Sequence, residues 1–360
     1  MVLTDTDQID AAWVDRTLHT AGVTRPGDVA SIVVDGGASR AWSRIARVEV
    51  RYRTGTVDQA PTRLLLKLCN DPSETFGRSE VDFYRRDYVG APDAPIPRCF
   101  DAAYSDAPRR YHLLLEDLSA THTNADVVVP DEQYGRALAR SLAALHSHRW
   151  GKERLLDLGQ VVAGVGEITA YVDHVRRGLE PMLAVIGDGL AADWSSRLRS
   201  LFGELGSAYA ERALDARGMA LLHGDPNPGN LLVPKSRRGP VLLIDRQPFD
   251  WSLTRWLAVS DLALAMVPWW DTDVRRRLEP LVLEQYGEEL QARGVADYPM
   301  SKIRDDYRLC LGMAVAIPVE WCILEGDRER MRWLWSLQLR RALEAYDESP
   351  TRAGPDANSG

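Results

Sequence analysis

The pattern of apolar and polar positions changes character part-way along this chain. Up to about residue 117, apolar runs of strand length alternate with polar turns that contain glycine, proline or charged residues. These runs predict a β-rich first part. From about Asp131 onwards, apolar residues such as Leu138, Leu142 and Leu145 recur at the spacing of one helix face. The sequence therefore predicts an α+β protein with a β-rich N-terminal part and a mainly helical C-terminal part.

Two helices are expected within the β-rich part. The first should begin near Thr6, carry an apolar face and end at Gly22. The second is expected within residues 74–90, where Val81 and Tyr84 would face inward. The first would pack on the outside of this part of the chain.

The first helix of the C-terminal part contains His146 and His148. Because side chains two positions apart on a helix point in different directions, this pair is not expected to hold one metal ion. Residues 165–215 predict two or more further amphipathic helices.

One segment of the C-terminal part, residues 221–251, has strand character. Its two apolar runs, 231–233 and 241–244, are separated by the turn-forming sequence PKSRRGP, which predicts a β-hairpin. Asn230 immediately precedes the first run, and Asp245 ends the second. Because a hairpin brings its ends together, we expect these two side chains to lie side by side. Asp225 would lie on the loop that leads into the hairpin.

Two carboxylates and an amide at one place indicate a magnesium site. Mg²⁺ prefers hard oxygen ligands and usually takes one or two carboxylates together with substrate phosphates. Phosphoryl transfer in kinases uses an Asp that receives the acceptor's proton, an Asn five residues later on the metal, and a second Asp on the metal. Asp225 and Asn230 have that spacing within the sequence HGDPNPGN, and Asp245 follows a strand.

Lys67 is unusual because it stands inside the apolar run 64–68. Burying an ammonium group without an anionic partner is costly. Glu80, on the following predicted helix, is the expected partner, with Glu74 as the second candidate. A kinase lysine paired with a helix glutamate binds the α- and β-phosphates of the nucleotide. The alternative is an edge strand from which the amine reaches solvent.

Composition narrows the possible functions. The chain has 360 residues, 45% hydrophobic content and a net charge of −8, so a nucleic-acid partner, which requires a basic face, is not expected. Cys69, Cys99, Cys310 and Cys322 are scattered, which favours a reduced, cytoplasmic setting. Neither a signal peptide nor an apolar run of about 18 residues is found, so no membrane partner is expected. The Gly- and Pro-containing tail 351–360 should be disordered.

The sequence HGDPNPGN followed by LLIDRQ resembles the aminoglycoside phosphotransferase and choline kinase-like family, which has a protein-kinase-like fold. The resemblance runs along nearly the whole chain in order. It implies a bilobal molecule with a nucleotide-covering N-lobe at residues 1–117. The C-lobe at residues 118–350 would hold the catalytic loop, the metal site and the acceptor pocket.

The resemblance also implies roles for individual residues. Asp225 would be catalytic, Asn230 and Asp245 would bind Mg²⁺, and His223 and Asp261 would support the site. The residues expected to contact the nucleotide are Lys67, Glu80, Gly36, Gly37, Ser39, Glu116 and Leu118. The residues expected to line the acceptor pocket are Trp269, Trp270, Glu320 and Trp321. Arg246 departs from the family, in which an aromatic residue often follows the metal-binding aspartate.

The function that follows from this resemblance is an O-phosphotransferase. With ATP, or alternatively GTP, and Mg²⁺, it would phosphorylate a hydroxyl of a small molecule, either an antibiotic or a metabolite. Its partners would be that acceptor and, at most, a second copy of the chain. One alternative is a catalytically silent nucleotide-binding pseudokinase. Another is a metal-dependent hydrolase that uses His146, His148, His223, Asp225 and Asp245.

Overall fold

The computed structural model describes residues 2–36, 38–39, 43–55, 60–70, 75–186 and 193–349. Gly37, Glu74 and the tail 351–360, which all carry predictions, lie outside the described residues. The chain divides into two compact units. The first comprises Met1–Thr123, Pro234–Arg238 and Leu242–Asp250, and the second comprises Asn124–Val233, Gly239–Val241 and Trp251–Gly360.

An antiparallel sheet forms the centre of the first unit. Its strands are β1 (Val29–Val34), β2 (Ala38–Ser39), β3 (Arg44–Tyr52), β4 (Arg63–Cys69), β5 (Cys99–Asp106) and β6 (Arg109–Glu116). Their order across the sheet is β1-β3-β4-β6-β5, and β2 pairs with the start of β3. Strand β4 is therefore central, with β3 on one side and β6 on the other.

The two faces of β4 have different neighbours. Leu64, Leu66 and Leu68 point to one side and join the apolar core that also contains the buried face of α1 (Ala11–Thr20). Because successive side chains of a strand alternate between faces, Lys67 points to the other side. The leucine run thus anchors the strand and fixes the direction of the lysine.

The helices of the first unit differ in extent from those that the sequence predicts. Helix α1 begins at Ala11 because the carboxylate of Asp10 caps it by accepting a backbone N–H, and Thr6 lies in a separate short turn. In the second predicted helix, α-helical winding covers only α2 (Ser79–Asp82). A wider π-helical turn follows at Phe83–Asp87.

The second unit is mainly helical, as predicted. Its helices are α3 (Glu132–His148), α4 (Gly151–Leu156), α5 (Val165–Arg176), α6 (Leu179–Ile186), α7 (Trp194–Ala213), α8 (Ser260–Met266), α9 (Thr272–Ala292), α10 (Met300–Glu320), α11 (Glu325–Arg330) and α12 (Arg332–Glu348). Trp256 and Trp335 are fully buried in this unit. In the described part of the chain, none of the helices is long and apolar enough to cross a membrane.

Short strands lie outside the main sheet. They are β7 (His122–Asn124), β8 (Met219–Leu221), β9 (Leu231–Pro234), β10 (Leu242–Leu243) and β11 (Arg255–Leu257). Within the second unit, β8 pairs with β11 in antiparallel register. Both apolar runs of the predicted hairpin form strands, β9 and β10.

Gly178, between α5 and α6, provides a test of packing in the second unit. A Cβ atom at this position would lie 1.9 Å from the carbonyl oxygen of Val319 on α10. We expect Gly178→Ala to lower the free energy of unfolding by about 1–3 kcal/mol, measured by urea denaturation.

The matched control is Gly203→Ala on α7, where an added Cβ meets no atom within 4 Å. Alanine is the better helix former, so this variant should gain up to about 1 kcal/mol of stability. Equal effects of the two substitutions would contradict the packing argument.

Candidate active site

Three charged side chains meet in the first unit. Lys67 on β4 is 6% exposed, and its Nζ lies 2.8 Å from both carboxylate oxygens of Glu80, which is 1% exposed. The same Nζ lies 2.9 Å from Oδ1 of Asp245. Tyr111 donates a hydrogen bond to Glu80 from β6. The predicted ion pair between Lys67 and Glu80 is therefore present, and Asp245 joins it.

The location of Lys67 follows from the sheet order. Its strand is central, and the register places it opposite Ile45 of β3 and Leu113 of β6. The alternative of an edge strand with a solvated amine is therefore wrong. An ammonium group in this position needs buried carboxylates, because water cannot compensate its charge.

The carboxylates determine the protonation of this cluster. Burial alone would lower the pKa of Lys67, but Asp245 and Glu80 outweigh that effect and raise it. Burial and the nearby Glu80 raise the pKa of the Tyr111 hydroxyl well above its usual value. The lysine therefore stays a cation, and the tyrosine stays a neutral hydrogen-bond donor. Removing one partner of such a buried pair typically costs about 3–5 kcal/mol.

Asp245 has an uncommon backbone conformation. Its φ angle of 56° lies in the left-handed region, which non-glycine residues rarely adopt. Residues in such conformations cluster at functional sites, where the surrounding structure holds them. The Asp245 side chain is 44% exposed, in contrast to the buried lysine. Its carboxylate therefore joins a buried cation and still reaches the solvent.

A second polar cluster lies on the loop before β9 in the second unit. The side-chain nitrogen of Asn230 donates to the carbonyl oxygen of Asp225 at 2.9 Å and to its Oδ2 at 3.1 Å. Asn227 donates to Oδ1 of the same aspartate at 3.0 Å. Two amides therefore orient the half-buried carboxylate of Asp225. Asn230 was predicted as a site residue and Asn227 was not, although the position of Asn227 between two prolines is typical of a turn whose side chain makes local hydrogen bonds.

The carboxylate of Asp261, near the start of α8, anchors this loop. Its Oδ2 accepts the backbone N–H of His223 at 2.7 Å, and its Oδ1 accepts that of Gly224 at 3.0 Å. His146 Nε2 lies 3.0 Å from the same carboxylate, and His146 Nδ1 lies 2.8 Å from the hydroxyl of Tyr286. Burial would raise the pKa of Asp261, but its hydrogen bonds and nearby histidines outweigh that and lower it. These contacts suit the supporting roles predicted for His223 and Asp261.

Four of the residues predicted to contact the nucleotide lie in the first unit, at the ends of strands or in the turns next to them. The N–H of Glu116, the last residue of β6, donates to the carbonyl of Arg98. The carbonyl of Leu118 accepts two backbone N–H groups from the turn that follows it. Gly36 lies between β1 and β2, where an added Cβ would meet open space, and Ser39 belongs to β2.

The four residues predicted for the acceptor pocket lie at the ends of two helices. Trp269 and Trp270 follow α8, and Trp270 is buried with its ring 6.0 Å from that of Tyr134. Glu320 is the last residue of α10, and Trp321 follows it half-buried. Trp270 is therefore accounted for by packing in the interior, whereas the side chain of Glu320 is 35% exposed and can reach a ligand.

His174, which lies next to Glu320, and Trp251, which stacks on His174, were not anticipated. His174 on α5 lies 3.7 Å from the Glu320 carboxylate, measured from Nε2. The His174 ring stacks on Trp251, with centroids 4.1 Å apart and planes at 17°. These residues are far apart in sequence, so only the fold reveals that they form one surface. A stacked aromatic pair beside a carboxylate suits a ligand with both flat and polar parts.

No protein-family model and no curated protein sequence matches the chain. Solved structures match along almost its whole length. An ethanolamine kinase of Plasmodium vivax matches with a TM-score of 0.58 and 11% identity, covering 92% of this chain and 87% of that one. A glucosamine kinase in complex with glucosamine, ADP and phosphate matches with a TM-score of 0.55 and 15% identity, covering 94% and 83%.

An aminoglycoside 2′-phosphotransferase in complex with GDP matches with a TM-score of 0.51 and 15% identity, covering 94% of this chain and 98% of that one. The chain has the protein-kinase-like fold of the aminoglycoside phosphotransferases and choline kinases. The kinase-like fold that the sequence resemblance implied is therefore confirmed. Because identity is low, the function of the kinase-like chain has to be argued from its own residues.

The anchor of the HGD loop can be tested through Asp261→Ala. The substitution leaves His146 and two backbone N–H groups without their buried acceptor. We expect it to lower the free energy of unfolding by about 3–5 kcal/mol. Amide hydrogen exchange at His223 and Gly224 should also become faster.

The control is Asp305→Ala, which removes a surface carboxylate that lies 2.9 Å from Arg308. It should change stability by less than about 1 kcal/mol and leave exchange in the loop unaltered. Unchanged protection of His223 and Gly224 in Asp261→Ala would contradict the anchoring role.

Proposed function

We propose that this protein is a small-molecule kinase that transfers the γ-phosphoryl group of ATP or GTP to a hydroxyl of its acceptor. The observation that carries the proposal is Lys67, buried in the first unit and shared between Glu80 and Asp245. Structural neighbours whose complexes contain GDP or ADP support nucleotide use. The fold alone would not support it, because one fold hosts many functions.

The hydrogen bonds of Lys67 indicate how a nucleotide would be received. An ammonium group has three N–H donors, and here its contacts are two oxygens of Glu80 and one of Asp245. Phosphate oxygens would take over the donor that now contacts Asp245. Glu80 would continue to hold the lysine in place.

The donor set fits Mg²⁺. Asp245 would offer its carboxylate, which reaches solvent, and Asn230 would offer its amide oxygen. These hard oxygen ligands are the kind that Mg²⁺ takes together with substrate phosphates. When bound, the ion would neutralise charge on the phosphates. Asn230 and Asp245 would hold it.

Asp225 is the group proposed to act on the acceptor. Its two oxygens accept hydrogen bonds from Asn227 and Asn230, which hold the carboxylate in a fixed orientation. In that orientation it would align an acceptor hydroxyl and receive its proton. Phosphoryl transfer proceeds mainly through such positioning and charge stabilisation.

The acceptor is proposed to be a small hydroxylated antibiotic or metabolite. The second unit offers a carboxylate, Glu320, beside the stacked rings of His174 and Trp251. Such a surface would favour an acceptor that carries hydroxyl or amino groups on a compact ring. Neighbours described as ethanolamine, glucosamine and spectinomycin kinases or phosphotransferases are consistent with this class.

The alternatives receive less support. A pseudokinase would share the Lys67 cluster, but it would not need the doubly hydrogen-bonded carboxylate of Asp225. A metal hydrolase would need His146, whose two ring nitrogens already lie within hydrogen-bond distance of Asp261 and Tyr286. In the described part of the chain, no group of three or more His, Cys, Asp or Glu side chains is arranged to hold a metal ion.

The first test is turnover. Mg²⁺-dependent consumption of ATP and of GTP would be measured against a panel of hydroxylated antibiotics and metabolites. With the acceptor identified, Asp225→Asn should lower kcat by about 10²–10⁴-fold, because the proton acceptor is lost. Nucleotide affinity should stay near its wild-type value.

The control for that test is Asp273→Asn, which neutralises an almost fully exposed carboxylate on α9. It should retain wild-type turnover. Near-normal turnover in Asp225→Asn would mean that another group receives the proton.

The second test concerns the metal. Chelation of Mg²⁺ should weaken ADP binding to the wild type, measured by titration calorimetry. In Asp245→Ala the affinity should already be low, and chelation should have little further effect. A full additional loss on chelation would show that Asp245 is not a metal ligand.

A further inference from the structure

The residue after Asp245 makes an unexpected contact. Arg246 is 2% exposed, and its Nη1 lies 3.0 Å from Oδ2 of Asp87, which is fully buried. The same nitrogen donates to the carbonyl oxygen of Ser79 at 3.2 Å. Ser79 begins α2, and Asp87 ends the π-helical turn that follows it. The guanidinium therefore contacts both ends of the helical segment that carries Glu80.

The residues after Arg246 continue along the same segment in antiparallel order. Ser79 donates its hydroxyl hydrogen to the carbonyl of Gln247. The N–H of Gly77 donates to the carbonyl of Pro248 at 2.9 Å. The rings of Phe76 and Phe249 then pack edge to face, with centroids 5.4 Å apart.

The fit between the two segments is close at Gly77. A Cβ atom there would lie 2.2 Å from Oδ1 of Asp250. The approach thus depends on the absence of a side chain at this position. Arg109 holds the Asp250 carboxylate in place from β6, at 2.9 Å.

Stability alone does not account for a buried charge pair at this point. Replacing such a pair by apolar side chains of similar volume is often neutral or stabilising. What an arginine adds is direction, because its planar group donates several hydrogen bonds in a fixed geometry. Arg246 uses that geometry on a carboxylate and a backbone carbonyl of one segment. Its immediate neighbour, Asp245, meanwhile contacts the lysine that Glu80 holds.

We propose that Arg246 is a positioning residue for the phosphate and metal site. By binding Asp87 and the Ser79 carbonyl, it holds Asp245 in its left-handed conformation opposite Glu80, so that Lys67 reaches both carboxylates. This inference rests on the proposed function, since it assigns Arg246 a role in that site. Arg246 itself touches neither nucleotide nor metal.

The proposal separates two properties of nucleotide binding. Without Arg246, Asp245 is free to leave the left-handed conformation, whereas Glu80 and Lys67 still form their own pair. Mg²⁺-dependent affinity should therefore fall, and Mg²⁺-free affinity should not. A purely structural role would lower stability and leave the ratio of the two affinities unchanged.

The experiment measures ADP affinity by calorimetry, with Mg²⁺ and with a chelator, in the full-length protein. In Arg246→Met the gain in affinity from Mg²⁺ should fall by about 10–100-fold, the usual effect of removing a partner that orients a metal ligand. Arg246→Lys keeps the charge but loses the planar donor geometry, so it should lose part of the gain and retain more of it than Arg246→Met. In ligand-free Arg246→Met, amide exchange across residues 245–250 should become faster.

The matched control is Arg212→Met. It breaks another buried pair, in which Arg212 Nε lies 2.6 Å from Asp306, within the second unit. This variant should lose stability and keep the wild-type gain from Mg²⁺. It separates the effect of losing any buried ion pair from the effect of losing this one.

The outcomes decide between the roles. A wild-type Mg²⁺ gain in Arg246→Met overturns the proposal, whatever happens to stability. If Arg246→Met does not fold, the double variant Arg246→Met/Asp87→Leu, which buries no unpaired charge here, replaces it. A reduced gain in the double variant supports the proposal, and a wild-type gain overturns it. Absence of ADP binding in the wild type would instead overturn the proposed function, and this inference with it.

Discussion

The buried positive charge of Lys67 is the constraint on which the first unit depends. The sheet places the amine on a central strand, where it is only 6% exposed. The chain must therefore bring carboxylates to it. Glu80 comes from the helical segment 13 residues later, and Asp245 from a segment 178 residues later. One cation thus specifies where two distant segments meet.

In the second unit a buried negative charge plays the corresponding part. Asp261 is a fully buried anion, and its partners are the His146 ring and the backbone N–H groups of His223 and Gly224. Because an unpaired buried carboxylate is so costly, these groups have to converge on it. The loop that carries Asp225 is held as a consequence. In both units a buried charge thus holds residues of the proposed site in place.

The sequence was informative wherever a local rule applied. A lysine inside an apolar run demands a partner, so the pairing of Lys67 with Glu80 could be predicted. The HGD loop is a contiguous motif, and it could be recognised as such. The start predicted for α1 near Thr6 was too early, because Asp10 caps the helix and α1 begins at Ala11. The π-helical turn at Phe83–Asp87 and the contact of Arg246 with Asp87 could not be predicted, because both depend on packing between segments distant in the chain.

The acceptor is harder to infer from the sequence than phosphate and metal binding. Phosphate and metal binding need a few charged groups in fixed positions, and these groups produce recognisable sequence patterns. The surface proposed for the acceptor contains Glu320, His174 and Trp251, which come from three separate segments. Each of them is an ordinary helix or loop residue in the sequence. Only the folded chain brings them together, so a proposed acceptor surface of this kind can differ between proteins while the kinase-like fold stays the same.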